Sequence, residues 1–92
     1  MIKVNEYLDG KVKSLGAEYE GEYFTVGVML PGKYKFSTEK EEHILVTLGA
    51  LNIQLPGEEW RKISKGESVI VSPRVEFQLD VAKTVAYICF YK

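Results

Sequence analysis

The chain has 92 residues, of which 46% are hydrophobic and 27% charged, and its formal net charge is −1. That length allows one small core, burying about 60–65% of the surface the unfolded chain exposes, so residues 1–92 are expected as a single domain. The charge balance excludes a nucleic-acid polymer as the main partner, and the absence of 18 consecutive apolar residues excludes a membrane span.

The opening "MIKVNEYLDGKVKSLG" carries Lys3, Glu6 and Asp9 where a secretion leader would be apolar, which predicts a cytoplasmic address. Within it, only 5–10 reads as a short helical turn. In "EYFTVGVML" Phe24, Val26, Val28 and Leu30 share one face of a strand, and the "PGK" at 31–33 predicts a hairpin into "KYKFST". After the charged loop "EKEE", the run "HILVTL" points Ile44, Val46 and Leu48 one way. Gly49 permits a tight bend, and "ALNIQL" returns with Leu51, Ile53 and Leu55 on a common face. Short strands in "WRKI", "ESVIV", "VEFQLD" and "KTVAYICFYK" complete the chain. The lone cysteine, Cys89, alternates with aromatic and apolar neighbours and reads as a buried structural thiol.

No segment holds a helical period, so the fold class is all-β. About eight to ten short strands would leave an apolar face open as a single sheet, which predicts a jelly-roll β-barrel with a ligand cavity at one end.

The stretch 36–57 resembles the first motif of the cupin family in spacing: Phe36-x-Thr38, then Glu42, then Gly49. A second, weaker resemblance begins at Gly66, with Pro73 one residue late and Phe77 or Gln78 at the final ligand position. The family's imidazole ligands are missing at all three places, and a phenyl, a hydroxyl and an amide or phenyl cannot hold a transition metal. The expected site is therefore metal-free. The lone His43 has the opposite parity to Ile44 and Val46 and is expected to face outward.

Over nearly the whole chain the sequence is similar to the small cupin-fold pyrimidine/purine nucleoside phosphorylases. The match is carried by "NEY" at 5–7, "GKVKS" at 10–14, "VGVM" at 26–29, "PG" at 31–32 and "FST" at 36–38. It continues through "GALN" at 49–52, "LP" at 55–56, Trp60, Gly66, "EF" at 76–77 and the tail positions Thr84, Tyr87, Cys89 and Tyr91. The segment after Gly66 departs from the family pattern and reads "SPRVEF", leaving Arg74 there. The resemblance implies phosphorolysis: nucleoside plus inorganic phosphate gives free base and (deoxy)ribose 1-phosphate, with wide tolerance for the base and no cofactor.

Such a reaction is expected to pass through an oxocarbenium-like sugar, with an anion on one face of C1′ and the departing base on the other. Lys11, Lys13, Ser37, Thr38 and Arg74 are the candidates for gripping phosphate, the two lysines reading equally well as a solvated strand face. Glu42 shares the parity of inward Ile44 and Val46. A carboxylate pointing inward is costly unless it is hydrogen-bonded or functional, so Glu42 is the candidate catalytic acid group. Glu76 alternates the other way and is expected in solvent. Phe36, Tyr7, Tyr34 and Trp60 are candidate stacking surfaces for the base or sugar. A homodimer that covers an exposed sheet edge is expected, with the "TVAYICFY" tail and the N-terminal strand as contributors. Two rival readings remain: a metal-free barrel that binds a small sugar or nucleotide, and a structural subunit whose cavity is packed shut.

Overall fold

A computed structural model describes all 92 residues. The chain runs β1 (Lys3–Tyr7), a 3-10 turn at Leu8–Gly10, β2 (Val12–Tyr19), β3 (Glu22–Met29), β4 (Gly32–Ser37), β5 (Glu42–Leu48), β6 (Ala50–Gln54), β7 (Arg61–Ser64), β8 (Ser68–Val71), β9 (Glu76–Val81) and β10 (Val85–Tyr91). The 5–10 stretch is thus mostly strand. Its turn is tight and left-handed, with Leu8, Asp9 and Gly10 at φ of 54°, 57° and 83°. For the two non-glycine residues this conformation costs about 1–2 kcal/mol each.

The strands form two antiparallel sheets: a six-stranded one in the order β1-β2-β3-β10-β5-β8 and a four-stranded one in the order β4-β9-β6-β7. They face each other as a cupin-like jelly roll, but the hydrogen-bond ladders do not join into a closed barrel. After the β1-β2-β3 meander, the chain crosses between the sheets at every connection except β6–β7. Pro31, which has no N–H to give, ends the β3 ladder, and β4 pairs with β9 in the other sheet. This replaces the hairpin expected at 31–33. The chain returns to the six-stranded sheet at β5, and Gly49, at φ 80°, makes the crossing back between β5 and β6.

Between the sheets lies a core built from Val46, Leu51, Ile53, Leu79, Val81 and Val85, each at most 2% exposed, among others. Leu51 and Ile53 face inward as their alternation predicts, while Leu55 is half-buried. Phe24, Val26, Val28 and the following Leu30 share one face as their alternation predicts, and that face is the outer one, with Thr25, Gly27 and Met29 pointing inward. In this strand the more hydrophobic set thus lies outside, and the inward set includes Thr25 and Gly27. Leu48 is also outward, at 60% exposure. A bulge does this: Ala86 pairs with Leu48 and Tyr87 with Val46, so Thr47 is skipped and the alternation of β5 shifts by one. His43 faces outward, its Nε2 2.7 Å from the Glu41 carboxylate, and Glu76 is exposed. No helix in the chain is long and apolar enough to cross a membrane.

Candidate active site

The inward side chains of the six-stranded sheet line up in cross-strand rows. One row runs Asn5–Ser14–Gly27–Tyr87 across β1, β2, β3 and β10. The next runs Gly16–Thr25–Cys89–Ile44, and beyond it Tyr91 pairs with Glu42. Gly27 is what lets the first row work. A Cβ there would lie 2.5 Å from the Tyr87 hydroxyl and 2.6 Å from its Cζ, so the ring can cross β3 only over a residue without a side chain. The phenol then lies against Ser14, whose Oγ accepts a 3.2 Å hydrogen bond from the Asn5 amide.

These rows form one wall of a cavity of about 140 Å³. Ser14, Glu42, Tyr87, Cys89 and Tyr91 supply its polar side; Phe36, Phe77 and Leu79 from β4 and β9 supply the opposite, apolar side. The floor is buried, whereas Tyr7 and Ser37 are exposed and Phe36 is half-buried, which puts the opening at those three. There the Tyr7 and Phe36 rings meet edge to face, centroids 5.9 Å apart, and Phe36 leans on Phe77 at 6.1 Å.

Glu42 is the carboxylate in this wall. Burial raises its pKa above the ordinary 4.5, and the Cys89 thiol, 3.5 Å from Oε1, partly opposes the shift by donating a hydrogen bond. The neighbours show the same low-dielectric setting. Burial pushes the Tyr87 hydroxyl up to about 12, with further contributions from Cys89, Tyr7 and Glu42 against a lowering hydrogen bond from Ser14. Cys89 and Tyr91 are raised too, chiefly by burial. Cys89 therefore stays a thiol, and Tyr87 and Tyr91 stay neutral phenols that can donate to a ligand. Tyr91 itself sits 3.4 Å from the Thr25 hydroxyl.

Of the residues singled out in the sequence, Tyr7, Phe36, Ser37 and Glu42 come together in this cavity. The others do not line it. The Thr38 hydroxyl is committed elsewhere: it donates to the Ser72 carbonyl at 2.7 Å and accepts from the Val75 N–H at 3.1 Å, tying the end of β4 to the loop before β9. Arg74 lies in that tied loop, its N–H 3.1 Å from the Thr38 carbonyl and its φ at 58°. Lys13 is on the outer face, 3.3 Å from Glu6. Lys11 is exposed beside the turn that follows Tyr7, and its carbonyl accepts from the Leu30 N–H. Tyr34 is core, packed on Phe36 with its hydroxyl donating to the Leu30 carbonyl. Trp60 lies against Lys33, Asn52, Gln78 and Asp80, away from the cavity.

The sequence reading missed Ser14, Tyr87, Cys89 and Tyr91. The signal was present in "YICFY", where three groups able to hydrogen-bond recur at every second position. The two motif positions at which cupins carry histidines hold Phe36 and Thr38, and no group of three or more His, Cys, Asp or Glu side chains is gathered anywhere in the chain.

Residues 2–91 match the family model described as pyrimidine/purine nucleoside phosphorylase. The chain belongs to the pyrimidine/purine nucleoside phosphorylase family. A relative of that name from Tolumonas auensis is 47% identical over 93 residues, covering all of both chains. Another, from Aeromonas salmonicida, is 49% identical over 97% of this chain and 96% of its own. Among solved structures, a protein of unknown function from Vibrio parahaemolyticus superposes with a TM-score of 0.97 at 44% identity, over 100% of this chain and 99% of that one. The Clostridium difficile EutQ protein, at 18% identity and a TM-score of 0.75 over 87% of this chain and 67% of its own, shares the fold.

Proposed function

We infer that this protein is a nucleoside phosphorylase of wide base range, converting a purine or pyrimidine nucleoside and phosphate to free base and (deoxy)ribose 1-phosphate. The full-length family match carries the reaction class. The geometry supports the assignment of roles. Glu42, ionised, accepts hydrogen bonds from sugar hydroxyls and stabilises the positive charge that develops at C1′, an effect strengthened where water is excluded. The neutral Tyr87 and Tyr91 phenols supply donors to the same sugar. Tyr7 and Phe36 offer flat surface at the opening, where any base can stack.

The phosphate lies at the opening in this reading, because the cavity wall holds a carboxylate and no cation. Ser37 is the hydroxyl there. Arg74 is tethered to the adjacent Thr38, and Lys11 follows the turn after Tyr7; these are the two cations this reading assigns to the phosphate. Lys13 and Thr38 are already engaged and act on structure. No metal is needed for this chemistry: phosphate is the nucleophile and the base is the leaving group. We further propose that the protein works as a homodimer.

Incubation of purified protein with uridine or adenosine tests the reading. Base release that depends on phosphate, and is unchanged by a metal chelator, is the expected result. Thermal stabilisation by the nucleoside without base release would instead make the protein a binding module.

A further inference from the structure

The cavity is small for a nucleoside. A closed apolar void of about 150 Å³ is filled by a single benzene ring, and the space here is about 140 Å³. One ring enters it. A nucleoside has a pentose and one or two base rings, so the base and the sugar cannot both be enclosed.

The wall decides which part enters. Its polar side offers Ser14, Glu42, Tyr87 and Tyr91, while Phe77 and Leu79 face them from the other sheet. A ribofuranose offers both kinds of contact, its cis 2′- and 3′-hydroxyls projecting together from one face and its ring carbons and their hydrogens meeting apolar side chains. A purine has two fused rings and exceeds a space that holds one, so a site that accepts both purines and pyrimidines cannot enclose the base. At the opening the situation is reversed. Tyr7 and Phe36 present ring surface, Ser37 is the other side chain there, and no amide side chain lines the cavity to read the edge of a base.

We propose that the site is specific for the pentosyl group and indifferent to the leaving group, so that it also phosphorolyses aryl β-ribosides that carry no nucleobase. The proposal rests on the phosphorylase reading above. With p-nitrophenyl β-riboside, a phosphate oxygen forms the new bond to C1′ as the C1′–O(aryl) bond breaks. The bonding pair leaves with the aryl oxygen as p-nitrophenolate, which needs no proton, and the other product is ribose 1-phosphate.

The wild-type protein, given phosphate, should release p-nitrophenolate from the riboside with kcat/KM within about tenfold of that for uridine, and should reject p-nitrophenyl β-galactoside. Turnover of uridine with a riboside rate lower by more than this, or turnover of the galactoside, overturns the proposal. Ser14→Val, which fills the floor, should lower kcat/KM for uridine, adenosine and the riboside by the same factor; a changed ratio among them would mean that the base enters. If uridine is not turned over at all, the phosphorylase reading fails and binding decides this one separately. Stabilisation by ribose and not by uracil would still support a pentose cavity, and any other pattern would refute it.

Discussion

Glu42 is the residue whose environment works against its charge. Burial raises its pKa in the folded protein above the ordinary 4.5, so folding favours the protonated form. That contribution to stability is full below about pH 4.5 and is lost as the pH rises through the folded value. Glu42→Gln keeps the shape and removes the charge. Thermal melts across that window should show the wild type losing stability relative to the variant as the pH rises. Catalysis has the opposite requirement, since the ionised carboxylate is the working form. The wild-type rate should fall as the pH drops through the raised pKa, giving an acid limb above pH 4.5 that the Gln variant lacks. At neutral pH the variant should be slower by at least about tenfold in kcat/KM, equal to about 1.4 kcal/mol of transition-state stabilisation. A variant as fast as wild type would remove Glu42 from the site. The parity of Glu42 with Ile44 was enough to find it, because β5 keeps strict alternation from Glu42 to Val46 before the bulge.

At the scale of the strand, the site depends on Gly27 in β3. Adding a Cβ there drives it into the Tyr87 ring, which is 8% exposed and lies across β3. Gly27→Ala should therefore destabilise the protein by about 1–3 kcal/mol, the usual range for overpacking a close-packed interior, readable as a lower denaturant midpoint. It should also depress the rate at concentrations where the variant is fully folded, because Tyr87 is displaced from Ser14. An unperturbed midpoint would mean that the ring is not held over β3. This strand also shows where sequence reading fails. "FTVGVM" has aliphatic residues on one parity and Thr25, Gly27 and Met29 on the other, and hydrophobicity alone selects the wrong face. The inner side chains of β3 are the less apolar set because Gly27 lies under the Tyr87 ring and Thr25 beside the Tyr91 hydroxyl. In "YICFY", with Tyr87, Cys89 and Tyr91 inside and Ile88 and Phe90 outside, both faces carry large apolar surface, so the alternation that put Cys89 inside did not mark its row as a site. The aromatics Tyr34 and Trp60 were indistinguishable from Tyr7 and Phe36 without knowing which sheet each strand joins.

The two sheets differ in what they show to solvent, and that difference concerns the whole molecule. The outer face of the four-stranded sheet carries Lys33, Lys35, Asn52, Lys62, Gln78 and Asp80. On the six-stranded sheet the outward rows are Val4–Leu15–Val26–Ile88–Leu45, then Glu6–Lys13–Val28–Ala86–Leu48, with its ion pair at the β1 end, then Ala17–Phe24–Phe90–His43–Ile70. With strands about 4.8 Å apart, that face is roughly 24 Å across, and Val4, Leu15, Val26, Val28, Leu48 and Ile70 on it are each 45–70% exposed. Soluble monomers rarely leave a contiguous apolar area beyond a few hundred Å². A two-fold interface uses the same patch on both copies, so one second copy is enough to cover this face. The wild-type chain should therefore sediment at micromolar concentration as a pair of 10.5 kDa chains. Placing a carboxylate in the middle row with Val26→Glu should give a folded monomer, because the pair would bury two like charges near its axis. A wild-type monomer would refute the homodimer. A dimer that survives both Val26→Glu and Leu15→Glu would move the contact to a sheet edge, where β1, with one partner strand and its exposed Val4, is the exposed alternative.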